Sequence, residues 1–98
     1  MNGILSNVIE CEKAAKRSGL SMGQYLFLAI VVDNPGITPG HAMEIRACLA
    51  AAVSRHIKSL LEKGLLTEEV DSKDRRVMRL TATKAGVAAA RSVERNGA

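Results

Sequence analysis

Aromatic residues are nearly absent from this chain. There is no tryptophan, and Tyr25 and Phe27 are the only members of the class. A hydrophobic core must therefore be assembled from aliphatic faces of Ala, Leu, Val and Ile, with room for a partner subunit to complete it. Cysteine is scarce as well. Cys11 and Cys48 do not make a metal-ligand spacing, and two cysteines without a secretory leader read as reduced thiols of a cytoplasmic protein. The start, Met1-Asn2-Gly3, runs into an amphipathic segment rather than a basic stretch followed by an apolar one. The longest apolar run, Tyr25 to Val32, falls far short of the ~18 residues a membrane span needs. A soluble chain without a membrane partner is expected. Catalytic groupings are missing too: no Ser/His/Asp or Cys/His arrangement with supporting context, no glycine-rich phosphate loop, no paired carboxylates in a plausible cleft. An enzyme is not expected, nor a cofactor. His41 and His56 stand alone, without second and third ligands nearby, and read as surface or cap residues rather than metal ligands.

What is present begins with size and charge. The 98 residues make a single domain, 1–98. A chain this short buries only about 60–65% of its unfolded surface, so its stability margin is thin. The net charge of +4 permits a nucleic-acid partner without demanding one.

The order of elements is legible. Ile4, Leu5, Val8, Ile9 and Ala15 recur at helical intervals, with Glu10, Glu12, Lys13, Lys16 and Arg17 at polar positions. This predicts a first helix over 1–18, ending near Ser18-Gly19. Ser21 caps a second helix, with Gln24 as its capping-box partner. The body Tyr25-Leu26-Phe27-Leu28-Ala29-Ile30-Val31-Val32 is apolar all round and belongs at the centre of the core. Asp33-Asn34-Pro35-Gly36 stops it. Thr38 caps a short third helix that has Pro39 at its first position. A fourth helix is expected from Leu49 to Lys63, stopped by Gly64. Leu49, Val53, Ile57, Leu60 and Leu61 line one side of it, and Ala51, Ser54, Arg55, Lys58 and Glu62 the other. Two strands follow, Leu65 to Val70 and Arg76 to Ala82, joined by a charged turn at Asp71–Arg75. Thr83 caps a last helix over 84–94, and Arg95-Asn96-Gly97-Ala98 is expected to fray. Met22, Met43 and Met78 read as core gap-fillers. No repeat, linker or low-complexity tract interrupts the sequence.

This order is that of a winged helix-turn-helix, mainly α with a small antiparallel β-wing. The residues also carry a family resemblance. Leu61-Glu62-Lys63-Gly64-Leu65-Leu66, Asp71-x-x-Asp74-Arg75-Arg76 and Thr83-x-x-Gly86 resemble the MarR family of bacterial transcriptional regulators. Pro35-Gly36-Ile37-Thr38, Val53-Ser54-Arg55 and Leu20-Ser21-x-x-Gln24-Tyr25-x-x-Leu28 fit the same pattern. The resemblance spans about Leu20 to Gly86, with 20–86 as the core motif. Two departures stand out. The chain is a short form whose last helix stops soon after Thr83-x-x-Gly86, without the family's long C-terminal dimerisation helices. The polar start of the reading helix is replaced by Cys48-Leu49-Ala50-Ala51-Ala52.

The fourth helix is the candidate major-groove reader, because that groove admits a helix presenting one face. Ala51 permits close approach and contact with a thymine methyl, Ser54 reaches phosphate or a base edge, Arg55 can pair with guanine, and Lys58 suits phosphate. The bland alternative is a solvated helix face. At the wing tip, the resemblance implies that Asp74 orients Arg76 for the minor groove. Lys73 and Arg75 would add phosphate contacts. Its alternative is a charged turn that keeps the ribbon soluble. Glu68, Glu69 and Asp71 oppose phosphate, so that edge faces away from DNA or pairs with Arg79. Ile4, Leu5, Val8, Ile9, Val87 and Val93 are the candidates for a homodimer contact.

The expected function is sequence-specific binding of double-stranded DNA by a cytoplasmic transcriptional regulator, a repressor in sign. The alternative is a protein-interaction winged helix, an antirepressor or assembly adaptor. A thiol sensor built on Cys48 and Cys11 ranks below both, and a small-molecule effector finds no support in the sequence.

Overall fold

The computed structural model describes residues 3–46 and 50–97. Five helices and one hairpin follow the expected order: α1 Gly3–Arg17, α2 Met22–Asp33, α3 Pro39–Arg46, α4 Ala50–Glu62, β1 Leu66–Val70, β2 Met78–Ala82 and α5 Lys84–Gly97. Cys48 and Leu49 lie outside the described residues, as do the side chains of Ile4, Leu5, Val8 and Cys11.

The helix starts follow their capping chemistry. Ser21 Oγ accepts from the Gln24 amide at 3.1 Å, and Gln24 Oε1 accepts from the Ser21 amide at 2.8 Å. Two amide groups at the start of α2 are thereby satisfied reciprocally. The His41 amide donates to Thr38 Oγ1 at 3.2 Å, which places His41, exposed, at the start of α3. At the other end of α4, Gly64 adopts φ of 71°, a left-handed conformation that a residue with a Cβ rarely takes.

The apolar α2 occupies the centre and packs against α1, α3, α4, α5 and β2. Its Phe27, Leu28 and Val31 are fully buried, joined by Leu60 of α4, Leu80 of β2, Ala15 of α1 and Val93 of α5. Met22 and Met43 pack against this core as expected, whereas Met78 is half-buried in the wing outside it. His56 departs from the surface reading: it is half-buried on α4, its ring centroid 5.9 Å from that of Phe27.

β1 and β2 pair antiparallel, from Leu66 opposite Ala82 to Val70 opposite Met78. A connection the sequence did not announce joins this hairpin to the helical body. Leu80 donates to the Ile37 carbonyl and accepts from the Gly36 amide, each at 2.8 Å, so the α2–α3 loop adds a one-residue bridge to the sheet.

Two boundaries among the described residues differ from expectation by more than one residue. The second strand begins at Met78, not Arg76, because the Arg76 amide donates to Asp74 Oδ1 and the Val77 amide to the Asp74 carbonyl. Those donors are committed to the turn and cannot enter the ladder. The last helix continues to Gly97 instead of fraying from Arg95. Asn and Gly disfavour a helix by at most about 1 kcal/mol each, and α5 lies along α1 with Ala90 and Val93 buried.

Candidate nucleic-acid interface

On α4, helical periodicity separates two faces as the sequence implied. Val53 and Leu60 are buried, with Ile57 and Leu61 packed against the core. Ala51, Ser54, Arg55, Lys58 and Glu62 are exposed. Neither Arg55 nor Lys58 forms an ion pair among the described residues. The outer face therefore presents a hydroxyl and two uncompensated cations on a helix anchored by its inner face.

The wing tip is more highly ordered than its exposure suggests. Arg76 donates from Nε to Asp74 Oδ1 and from Nη2 to Asp74 Oδ2, both at 3.1 Å. The Arg76 amide donates to the same Oδ1 at 3.0 Å. This fork holds the Asp74 carboxyl below its ordinary value and raises Arg76, the side-chain pairing being the principal cause in each case. The Arg76 side chain is still 90% exposed. A guanidinium already paired in this geometry loses less freedom on meeting an anion than an unpaired one.

Asp71 organises the rest of the turn. Its Oδ2 accepts from the amides of Lys73 at 3.0 Å and Asp74 at 2.9 Å, while Oδ1 accepts from Arg79 Nε at 2.7 Å. The Arg79 pairing, then the two amides, hold this carboxyl low. Arg79 also donates from Nη1 to the Gly36 carbonyl at 2.9 Å. Of the two readings open for the acidic edge, Asp71 takes the pairing with Arg79. Glu68 and Glu69 remain exposed. Arg79 thus clasps the wing to the α2–α3 loop. The sequence offered its charge partner but not the carbonyl, which lies forty-three positions away.

Behind the wing, Thr83 Oγ1 donates to the Gly64 carbonyl at 2.8 Å and accepts from the Gly86 amide at 3.0 Å. A Cβ on Gly86 would sit 2.1 Å from the Leu65 carbonyl oxygen. The Thr83-x-x-Gly86 signature is therefore a cap whose glycine lets α5 rest directly on the backbone at the end of α4.

The residues named for dimerisation separate. Ile9 is 44% exposed, Val87 is half-buried, and Val93 is fully buried in the core of its own chain. Among the described residues no group of three or more His, Cys, Asp or Glu could hold a metal, and no helix is long and apolar enough to cross a membrane.

Comparison with known proteins gives this geometry its context. The sequence pattern of the MarR family matches residues 18–77. No curated protein matches the chain in sequence. Among solved structures, a mutant of MepR from S. aureus bound to an oligodeoxyribonucleotide superposes with a TM-score of 0.88 at 16% identity, covering 94% of this chain and 68% of that one. The transcriptional regulator SlyA superposes with a TM-score of 0.78 at 27% identity, covering 96% and 72%. A mutant MarR from E. coli complexed with operator DNA gives a TM-score of 0.83 at 16% identity, covering 95% and 66%. The chain spans about two thirds of the length of these proteins.

Proposed function

The chain belongs to the MarR family, and from that premise we propose that it is a transcriptional regulator that binds double-stranded DNA in a sequence-specific manner, as a cytoplasmic homodimer, and represses from its operator. In this reading α4 enters the major groove. Arg55 pairs with a guanine edge, a bidentate contact worth about 1–3 kcal/mol of discrimination. Ser54 reaches phosphate or a base edge, Ala51 lies against a thymine methyl, and Lys58 meets phosphate. The wing enters the adjacent minor groove with Arg76, where a narrow A·T-rich groove attracts arginine. Lys73 and Arg75 add phosphate contacts.

The observation that carries this reading is the Asp74–Arg76 fork, which pairs and orients a cation that is 90% exposed. A turn needed only for solubility has no use for that order. Two related folds solved with DNA support it further. A dimer would double the interface and match a pseudo-palindromic operator, with the exposed Ile9 and half-buried Val87 as candidates for the contact beside Ile4, Leu5 and Val8, proposed from the sequence alone. The test is selection of genomic fragments bound by the protein, followed by the same selection with Arg76→Ala. The expected result is a recurring, dyad-symmetric sequence that the variant recovers poorly. Unchanged affinity of Arg76→Ala for those fragments removes the main support.

The second reading, a winged helix that binds protein as an antirepressor or adaptor, draws on the exposed Glu68 and Glu69 and on the alanine-rich start of α4. Salt separates the two. DNA binding falls steeply with ionic strength through counterion release, and a protein interface built around Glu68 and Glu69, which displaces no condensed counterions, falls far less.

A further inference from the structure

Two polar side-chain contacts tie the end of α4 and the residue after it to the junction of α1 and α2. Gln24 donates from Nε2 to Ser59 Oγ at 2.6 Å, thirty-five positions away. Its other amide atom, Oε1, accepts from the Ser21 backbone and so fixes the side chain in the capping box. A second link lies just past the end of α4, where Lys63 Nζ donates to the Gly19 carbonyl. The α1–α2 junction thus holds α4 at Ser59 and the chain just beyond α4 at Lys63.

Ser59 does not belong to the buried stripe of α4. At ~100° per residue it lies about 120° from Val53 and about 40° from Arg55, on the shoulder of the exposed face. This position matters because apolar burial is non-directional. Val53, Ile57 and Leu60 hold α4 against the core on its inner face, and a small rotation about its own axis would keep them buried. A hydrogen bond on the shoulder is directional and opposes that rotation. A roll of about 10° displaces groups at the ~5–6 Å side-chain radius by about 1 Å. That displacement is larger than the whole 2.7–3.2 Å range of a good N–H···O bond.

We propose that Gln24 is a positioning residue for DNA reading: its side chain, held by the Ser21 capping box, fixes the roll of α4 through Ser59 and so aims Arg55 and Ser54 at the base edges. The proposal rests on the reading of α4 as the major-groove helix. Gln24 itself touches no DNA. It acts on specificity rather than on the electrostatic attraction that every duplex shares.

The experiment compares wild type with Ser59→Ala, which removes the link and keeps the capping box, with Gln24→Ala, with the double variant and with Gln24→Glu. A glutamate can still accept from the Ser21 amide while its second oxygen accepts the Ser59 hydroxyl. Each protein is titrated with a duplex recovered by the genomic selection and with a scrambled duplex of equal length. Residual dipolar couplings of α4 amides relative to α2 are measured without DNA. The expected result for Ser59→Ala and for Gln24→Ala is a discrimination ratio reduced about three- to tenfold, unchanged binding of the scrambled duplex and shifted α4 couplings. The double variant loses no more than either single one, and Gln24→Glu restores the ratio. Wild-type couplings and ratio in Ser59→Ala overturn the proposal, as does an equal loss on both duplexes that follows a fall in Tm. If wild type itself does not discriminate, the DNA reading fails, and the couplings alone decide whether Gln24 sets the roll of α4.

Discussion

Arg76 commits Nε and Nη2 to Asp74 and leaves Nη1 and the rest of its fork open to solvent. The carboxylate thus acts as a mount rather than a neutraliser, and the two substitutions at this pair separate its effects. Arg76→Ala removes the cation and is expected to weaken operator binding by about tenfold or more, since hydrogen bonds to charged groups contribute about 1.5–3 kcal/mol. Asp74→Asn keeps the cation but loses the bidentate acceptor, and is expected to cost about two- to fivefold, the loss being chiefly the freedom Arg76 regains. Fluorescence anisotropy with a labelled operator measures both, and an Asp74→Asn loss equal to that of Arg76→Ala would contradict the mounting role. Acid provides an independent check. The hydrogen bonds from Arg79 to Asp71 and from Arg76 to Asp74 hold both carboxyls below their ordinary value, so a disordered wing takes up protons before the ordered one does. Their stabilising effect is whole above that ordinary value and is lost as pH falls through the lower folded values. Carboxyl NMR titration is expected to give midpoints below 3.8 for both. A midpoint for Asp74 at or above it is incompatible with the fork.

Elements in this fold are joined at their ends by a few polar contacts, and these contacts decide where the wing stands. The Thr83 hydroxyl ties the start of α5 to the end of α4, and Gly86 leaves the space that contact needs. Gly86→Ala forces a Cβ against backbone that cannot move aside as a flexible side chain would. A destabilisation of about 1–3 kcal/mol is expected, of the size seen for overpacking, read by urea denaturation. Thr83→Val removes a cap and is expected to cost about 0.5–2 kcal/mol. Arg79→Ala opens the clasp between wing and α2–α3 loop. Faster amide exchange is expected across Asp71 to Val77, with α2 and α4 unchanged. Capping chemistry made most of these ends readable in advance: Ser21 with Gln24, Thr38 with Pro39, Gly64 and Thr83 all act within four residues. Other features escaped that logic. The Ile37–Leu80 bridge and the Arg79–Gly36 contact join segments far apart in sequence, and α5 outruns its weak terminal propensity because it lies along α1.

At the scale of the molecule, the net charge of +4 is too small to carry DNA binding as a diffuse property, so the attraction has to come from where the cations stand. Arg55 and Lys58 on α4 and Lys73, Arg75 and Arg76 on the wing are all exposed. Removing Arg75, proposed to contact phosphate, is expected to flatten the dependence of log affinity on log salt by about one unit per bound protomer, while leaving sequence preference intact. A homodimer is expected by sedimentation at micromolar concentration, and a monomer that still binds its operator tightly would contradict it. Val93, one of the residues named for that contact, is consumed by the chain's own core. Periodicity could mark it as inward-facing on α5 but could not say which surface lay opposite.

The amino-acid sequence by itself determined the succession of elements, the two faces of α4, the caps and the charged tip of the wing. These rest on spacing within a helix turn, a strand or a tight turn, where neighbours in sequence are neighbours in space. Only the tertiary structure decided how those pieces are aimed. Arg79 bonding Gly36, Gln24 bonding Ser59 and Leu80 bridging to Ile37 each link residues tens of positions apart. Such contacts form only after burial of α2 has brought the elements together, because apolar packing assembles the elements while directional hydrogen bonds fix their final orientation.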